Sequence, residues 1–214
     1  MRHFILIGVI VASLVVTQTV SWAQVQGPEE QSEVPEAQAA PEASGPTALP
    51  DDERARAEHL DTLFERLGKP DNDNWERTAA QINAAWNQSG SPSMDLIASR
   101  ADKAMAQKDY DTALLHLNDL TRLAPDFAEG WNKRATLYFV QGNYGLSLDD
   151  IAMTLRLEPR HYSALSGLGI ILDRIGDKKG ALEAYRRAVA IHPNLPGVED
   201  GIRKLTKEVE GQRL

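Results

Sequence analysis

The apolar and polar positions between residues 93 and 193 recur at a constant interval of 34 residues. Within each interval, apolar residues follow a three- and four-residue spacing in two segments of helical length, separated by a short polar stretch. Small and large side chains keep fixed places in these segments. Those places hold Ala101, Ala135 and Gly169, then Ala113, Ser147 and Ala181, then Leu117, Ile151 and Tyr185. The pattern predicts an all-α fold built of tandem helical hairpins.

Turn-forming and helix-ending residues recur at the same interval and predict where each helix begins and ends. Gly142 and Gly176 can adopt a positive φ and so end a first helix. The next place in each repeat holds Asp109, Asn143 or Asp177. These side chains are predicted to cap the second helix by accepting backbone N–H groups. A proline then stops the second helix, because it lacks an N–H group and disfavours helix in the residue before it. These prolines are Pro125, Pro159 and Pro193.

The residues at these places resemble the signature of a known family, W-x2-L-G-x2-Y, then A-x3-F, then P. The matching residues are Trp131, Ala135, Tyr138, Ile151 and Pro159, and then Leu168, Gly169, Ala181, Tyr185 and Pro193. The preceding repeat keeps Ala113 and Pro125 but has Ala104 in place of the aromatic residue. The chain therefore resembles tetratricopeptide repeat (TPR) proteins of the exported bacterial type. That resemblance implies a curved solenoid that binds other proteins.

These observations divide the chain into seven segments, with one folded domain made of the last five. We predict a signal peptide (1–23), a disordered linker rich in Pro and Glu (24–50), a degenerate helical hairpin (51–92), repeat 1 (93–127), repeat 2 (128–161), repeat 3 (162–195) and a C-terminal capping helix (196–214).

The two segments that flank the repeats are interpreted as caps, because the end units of a solenoid are expected to be atypical. The 51–92 hairpin carries helical apolar spacing and is predicted to be an N-terminal cap; its apolar residues are Leu60, Leu63, Phe64, Leu67, Ala79, Ile82, Ala85 and Trp86. The last segment has one apolar stripe, formed by Val198, Ile202, Leu205 and Val209. It is predicted to cover repeat 3, and docking of a partner is the alternative use.

Two arginines, Arg100 and Arg134, occupy the place where the TPR family usually has leucine. If buried, they need carboxylate partners, for which Asp119, Asp149 and Asp150 are candidates. The interpretation we favour from the sequence is that both lay their methylene groups along the hairpin and lift the guanidinium into water.

The first 23 residues resemble a secretory signal. Arg2 precedes an apolar run from Phe4 to Val16, and the small residues Ser21 and Ala23 stand before Gln24. We expect cleavage after Ala23 and a periplasmic or secreted protein. Retention of this segment as a membrane anchor is the alternative, and only in that case would the membrane be a partner.

Charge and composition exclude several classes of function. The net charge is −8; without the five glutamates of 24–50 and without Arg2, residues 51–214 carry −4. We expect no nucleic-acid partner, since nucleic-acid binding requires clustered Lys and Arg. The chain has no cysteine, which removes disulfides and thiolate chemistry. The histidines lack metal-ligand spacing, and no phosphate-binding loop or nucleophile motif occurs, so we expect no cofactor, no metal and no enzymatic activity.

The resemblance implies that the first helix of each repeat lines the concave face. Helical spacing then predicts a protein-binding groove formed by Met105, Glu129, Asn132, Thr136, Phe139, Ile170 and Asp173. Further residues expected to face inward are Asp95, Ala98, Asp102, Ser163 and Ser166. An apolar floor with an acidic rim would suit a peptide that carries apolar anchors and some Lys or Arg. TPR proteins that bind the C-terminal carboxylate of a partner use Lys and Asn on this face. Here Ala98 and Ser166 stand where such a lysine is expected, which argues against binding of a C-terminal carboxylate.

The resulting hypothesis is a non-catalytic adaptor of the bacterial cell envelope that binds a peptide or protein segment. A structural subunit of a membrane-associated envelope complex is the second hypothesis, and an enzyme with an unrecognised site is the third. Arg160 and His161, in the turn between repeats 2 and 3, are interpreted as turn residues, with a contact to an anion as the alternative.

Overall fold

The computed structural model describes residues 51–211, so the predicted leader and linker lie outside the described residues. Within 51–211 all regular structure is helical, which confirms the predicted all-α fold. The helices are α1 (Asp51–Leu67), α2 (Trp75–Trp86), α3 (Pro92–Ala106), α4 (Tyr110–Leu123), α5 (Ala128–Val140), α6 (Tyr144–Leu157), α7 (Tyr162–Ile175), α8 (Lys178–Ile191) and α9 (Val198–Glu210). No helix of this range is long and apolar enough to cross a membrane.

Helices α3 to α8 form three antiparallel hairpins that stack in chain order, as the repeat predicts. α3 pairs with α4, α5 with α6 and α7 with α8, while α4 packs on α5 and α6 packs on α7. The core of repeat 1 is centred on Leu117 and Leu120, and that of repeats 2 and 3 includes Ile151 and Ile171. Burial of these apolar faces stabilises helices that would be marginal alone at this length.

The small residues of the repeat lie where the paired helices come closest. At Gly169 an added Cβ would sit 2.5 Å from the Tyr185 ring. Repeat 3 thus has glycine, where the other repeats have alanine, opposite its large tyrosine. Ala101 shares a core with Leu117, and Ala135 shares one with Ile151. In each hairpin, therefore, a small residue of the first helix packs with a large residue of the second.

The predicted turn geometry is confirmed for both glycines, with φ of 77° at Gly142 and 91° at Gly176. In repeat 1 the same place holds Lys108, which adopts φ 59° and is the only described non-glycine residue with positive φ. Asp109 and Asp177 accept backbone N–H groups and cap their helices. The cap predicted for Asn143 is wrong, since its side chain makes no such bond. An ionised carboxylate is the stronger acceptor, which distinguishes the two aspartates from the neutral amide.

Helix α9 covers α8, as the apolar stripe predicts. Val198 and Leu205 are buried against Leu182 and Tyr185, and Ile202 and Val209 pack beside them. Peripheral ion pairs join the same elements: Asp173 at the end of α7 binds Lys178 at the start of α8 and Lys204 of α9. The predicted C-terminal capping helix is confirmed.

The N-terminal hairpin, which the sequence predicts to be a cap, packs against repeat 3. Its apolar residues share a core with Tyr162 at the start of α7, Ile191 at the end of α8 and Leu195 in the loop that follows. Leu67 stands one interval before Ala101, so a large side chain occupies the place where a repeat hairpin needs a small one. α1 and α2 accordingly pair less extensively than the repeat helices.

Aromatic and polar contacts connect the N-terminal hairpin (α1 and α2) to the turn between repeats 2 and 3. The indole of Trp86 stacks on His161, with ring centroids 4.1 Å apart and planes 7° apart. Arg160 lies over the Phe64 ring at 4.2 Å and pairs with Asp61 at 2.7 Å. Arg160 and His161, the two turn residues, therefore have a structural role, since they hold the N-terminal hairpin against the repeats.

His161 also organises the start of α7. Its Nδ1 accepts the backbone N–H of Ala164 at 3.2 Å, so Nε2 carries the proton and donates to Glu129 at 3.0 Å. Nearby, Tyr162 donates its hydroxyl to Asn83 of α2 at 2.9 Å, and burial raises the pKa of Tyr162 to about 12. Repeat 2, repeat 3 and the hairpin therefore meet in one buried polar and aromatic cluster.

The favoured interpretation of Arg134 is wrong, and its alternative is confirmed. Its guanidinium does not reach into water but pairs in a two-pronged contact with Asp150, with both N···O distances 2.8 Å. The side chains are 16% and 5% exposed, so the pair is largely buried. The bond to Asp150 raises the pKa of Arg134. Arg100 is exposed, as expected from the sequence.

Candidate functional site

A small apolar cavity opens between the first helices of repeats 2 and 3. Its volume is about 90 Å³, roughly three times the volume that one water molecule occupies in the liquid. A cavity of this size suits one aliphatic side chain. It is lined by Asn132, Ala135, Thr136 and Phe139 of α5, Ser147 and Ile151 of α6, and Ser163, Ala164, Gly167, Ile170 and Ile171 of α7.

Small residues create the space. At Gly167 an added Cβ would have Ile151 Cδ1 as its nearest neighbour, at 3.8 Å, which is an ordinary contact. Ala135 and Ala164 are buried beside it, while Phe139 is half-buried and Ile170 is 38% exposed. The cavity therefore has a closed apolar floor and an open side where Ile170 meets solvent.

Buried hydrogen bonds hold the helices around the cavity. The Ser147 hydroxyl of α6 donates to the Ala135 carbonyl of α5 at 2.8 Å and is fully buried. On the rim, Thr136 donates to the Asn132 carbonyl at 3.0 Å, and Asn132 donates its amide to Glu129 at 3.1 Å. The Ser147 bond joins α5 to α6, whereas the two rim bonds lie within α5; the cavity is therefore a preformed feature of the stack.

The structure brings four of the seven predicted groove residues to this cavity, namely Asn132, Thr136, Phe139 and Ile170. Met105, Glu129 and Asp173 do not line it. Met105 packs on the core of repeat 1, and Glu129 is buried at 9% exposure against His161. That these residues contact a partner stays a prediction.

Other inward-facing assignments also change. Ala98 is buried in the core of repeat 1, whereas Ser163 lines the cavity as expected. Sequence reasoning missed Gly167 and Arg174. A glycine inside a helical pattern signals close approach or open space, so Gly167 could have been found from the sequence.

The predicted acidic rim is already engaged by intramolecular partners. Asp102 binds Lys133 at 2.9 Å, and Asp95 accepts from the Ser89 hydroxyl at 2.6 Å. Hydrogen bonding to Lys178 lowers the pKa of Asp173. These carboxylates are thus at least partly compensated within the protein.

One exposed cation lies beside the cavity. The guanidinium of Arg174, on α7, sits 5.1 Å from the centroid of the Phe139 ring and donates to the Tyr144 hydroxyl at 2.9 Å. Both rings lie within the range of cation–π attraction. None of the ion pairs formed within residues 51–211 includes Arg174.

Among residues 51–211, no group of three or more His, Cys, Asp and Glu side chains is placed to hold a metal ion. The site offers an apolar cavity, hydroxyl and amide groups on its rim, and one guanidinium.

Comparison with known proteins agrees with the repeat assignment. The family described as "Tetratricopeptide repeat" matches residues 99–152 and 135–196. A TPR repeat-containing protein of Rhizobium etli is 40% identical over 157 residues, which cover 73% of this chain and 77% of the relative.

Solved structures show the same architecture. The Sgt2 TPR domain of Aspergillus fumigatus superposes with a TM-score of 0.53 at 25% identity, covering 57% of this chain and 83% of that domain. The first TPR domain of Spaghetti (RPAP3), bound to the HSP90 peptide SRMEEVD, has a TM-score of 0.53 at 19% identity and covers 55% of this chain and 93% of that one.

Proposed function

Because this chain belongs to the tetratricopeptide repeat family, we propose that it is a non-catalytic adaptor that binds a peptide or protein segment between repeats 2 and 3. The observation that carries the proposal is the preformed apolar cavity on the first helices of those repeats, with Phe139 and Ile170 at its open side. A cavity of this size accepts one apolar side chain, which is how an extended or helical peptide anchors in a groove.

The related structures support this use of the fold. The RPAP3 domain is a peptide complex, and another TPR neighbour is the TPR2B domain of yeast Sti1 in complex with Hsp70. Both are under 25% identical to this chain, so they show a shared fold, and peptide binding by this chain is our proposal.

We further propose that the adaptor acts in the bacterial cell envelope after export, since residues 1–23 have the pattern of a cleavable signal. Expression of the full chain in a bacterium is expected to yield a periplasmic protein whose first residue is Gln24. Fractionation and N-terminal sequencing measure this. A cytoplasmic protein that retains Met1 would contradict export, and a membrane-bound protein that retains Met1 would favour the anchored alternative.

Filling the cavity is the direct test of peptide binding. We expect Gly167→Leu to weaken the binding of peptides selected on the wild-type protein by at least about tenfold, because burial of one aliphatic side chain stabilises by about 1.5–3 kcal/mol. Leucine is also the better helix former, by almost 1 kcal/mol, so the variant should remain folded. Peptides enriched from a random displayed library would be measured by fluorescence anisotropy.

Gly145→Leu is the matched control, since Gly145 lies in helix α6 and an added Cβ there meets nothing within 4 Å. It makes the same chemical change away from the cavity and should leave the Kd unchanged. Equal binding to wild type and Gly167→Leu would place the binding site elsewhere. Failure to enrich any peptide on the wild-type protein would argue against peptide binding altogether.

A further inference from the structure

We propose that the segment bound in this cavity carries an Asp or Glu side chain next to its apolar anchor, and that Arg174 binds this carboxylate. The inference rests on the proposed function and specifies its ligand. It reverses the expectation from the sequence, in which an acidic groove would attract Lys or Arg.

The reversal follows from the charges that the fold has already paired. Asp102 and Glu129 both lie against Lys133, with N···O distances of 2.9 and 3.7 Å, and Asp173 pairs with Lys178 and Lys204. A lysine from a partner would have to compete with these internal cations or share their carboxylates. A carboxylate would meet the one exposed cation of the cavity rim that takes part in no ion pair within the described residues.

The geometry of Arg174 fits the recognition of a carboxylate. Its guanidinium lies against two neighbouring rings, 5.1 Å from the Phe139 centroid and 5.9 Å from the Tyr144 centroid, and the Tyr144 hydroxyl accepts one of its five N–H groups. The remaining donors can form a two-pronged contact with a carboxylate. Because stacking restricts the side chain before binding, less conformational entropy is lost when the contact forms.

The distance between the two anchor points sets the spacing in the ligand. Phe139 lines the cavity and its ring centroid is 5.1 Å from the guanidinium, so the apolar anchor and the carboxylate bind close to the same ring. We therefore place the acidic residue within one or two positions of the anchor. A chain terminus is the less suitable source of the carboxylate, because Ala98 is buried and Ser166 provides no cation to hold it.

The test uses one leucine-anchored peptide selected on the wild-type protein, with both ends blocked, made with Glu, Gln or Lys beside the leucine. Wild-type protein should bind the Glu version roughly tenfold more tightly than the Gln version and the Lys version most weakly, since a charge-assisted hydrogen bond exceeds a neutral one. Arg174→Gln should remove the preference for Glu over Gln, and Arg174→Glu should favour Lys. Arg156→Gln, an exposed arginine on α6 away from the cavity, is the control and should keep the wild-type order.

Each outcome decides the proposal. A wild-type preference for Lys, or a preference for Glu that survives in Arg174→Gln, would overturn the role of Arg174 while leaving peptide binding intact. Binding that requires a free C-terminal carboxylate instead of the Glu side chain would also overturn it. If the blocked peptides bind the wild-type protein and Gly167→Leu equally, the cavity is not their binding site, and the proposed function fails together with this inference.

Discussion

Arg134→Met is expected to lower the free energy of unfolding by about 3 kcal/mol. The substitution leaves Asp150, which is only 5% exposed, without its two-pronged partner, and an uncompensated buried charge of this kind costs about 3–5 kcal/mol. It also removes the hydrogen bonds from Arg134 to Thr121 and Asn118 of α4, which join repeat 1 to repeat 2. Urea unfolding followed by circular dichroism measures the change.

Two companion variants separate the lost pair from the lost side chain. Arg100→Met changes the equivalent residue one repeat earlier, which is exposed, and should alter stability by no more than about 0.5 kcal/mol. Adding Asp150→Leu to Arg134→Met should restore most of the loss, because an apolar pair can replace a buried ion pair. If Arg134→Met and Arg100→Met have the same effect, the Arg134–Asp150 pair does not stabilise the stack.

Trp86→Ala is expected to release the N-terminal hairpin from the repeats. Trp86 is 9% exposed and contacts Phe64, His161 and Tyr162 with ring centroids 4.1–5.8 Å away. Loss of a buried tryptophan costs about 3–5 kcal/mol, which is enough to make undocking of α1 and α2 frequent. Hydrogen exchange should then show a large loss of protection in α1 and α2, with protection in α5 and α6 retained.

Trp86→Phe keeps an aromatic ring in the cluster and should cause a smaller loss of protection, while Leu115→Ala truncates a side chain that is 68% exposed and should cause almost none. Uniform loss of protection in all helices of the Trp86→Ala variant would mean that hairpin and repeats unfold as one unit. Unchanged protection in α1 and α2 would show that the stacking contacts do not hold the hairpin.

The three repeats were accessible from the sequence because their determinants are local. A helix needs apolar residues at three- and four-residue spacing, a turn needs a residue with positive φ such as Gly142, and close helix packing needs a small residue such as Gly169. Stacking of neighbouring hairpins repeats one contact pattern, so a constant interval in the sequence predicts it. The same reasoning placed α9 on α8 through its apolar stripe.

The candidate site was only partly predictable. Helical spacing assigned Asn132, Thr136, Phe139 and Ile170 to the concave face, and the structure gathers them around one cavity. Spacing did not show that Glu129 would be buried by His161, because that contact spans 32 residues and depends on a ring held in place by Trp86. The charge of the groove could be assigned only after such partners were known.

By itself, then, the sequence determined the fold class, the number of repeats and the face on which a partner would be sought, since each follows from a short pattern that recurs. Only the tertiary structure decided where the N-terminal hairpin docks, which charges are paired and how Arg134 is satisfied. The ion pair between Asp61 and Arg160 joins residues 99 positions apart, and a contact at that separation depends on how whole elements pack. No local period encodes it.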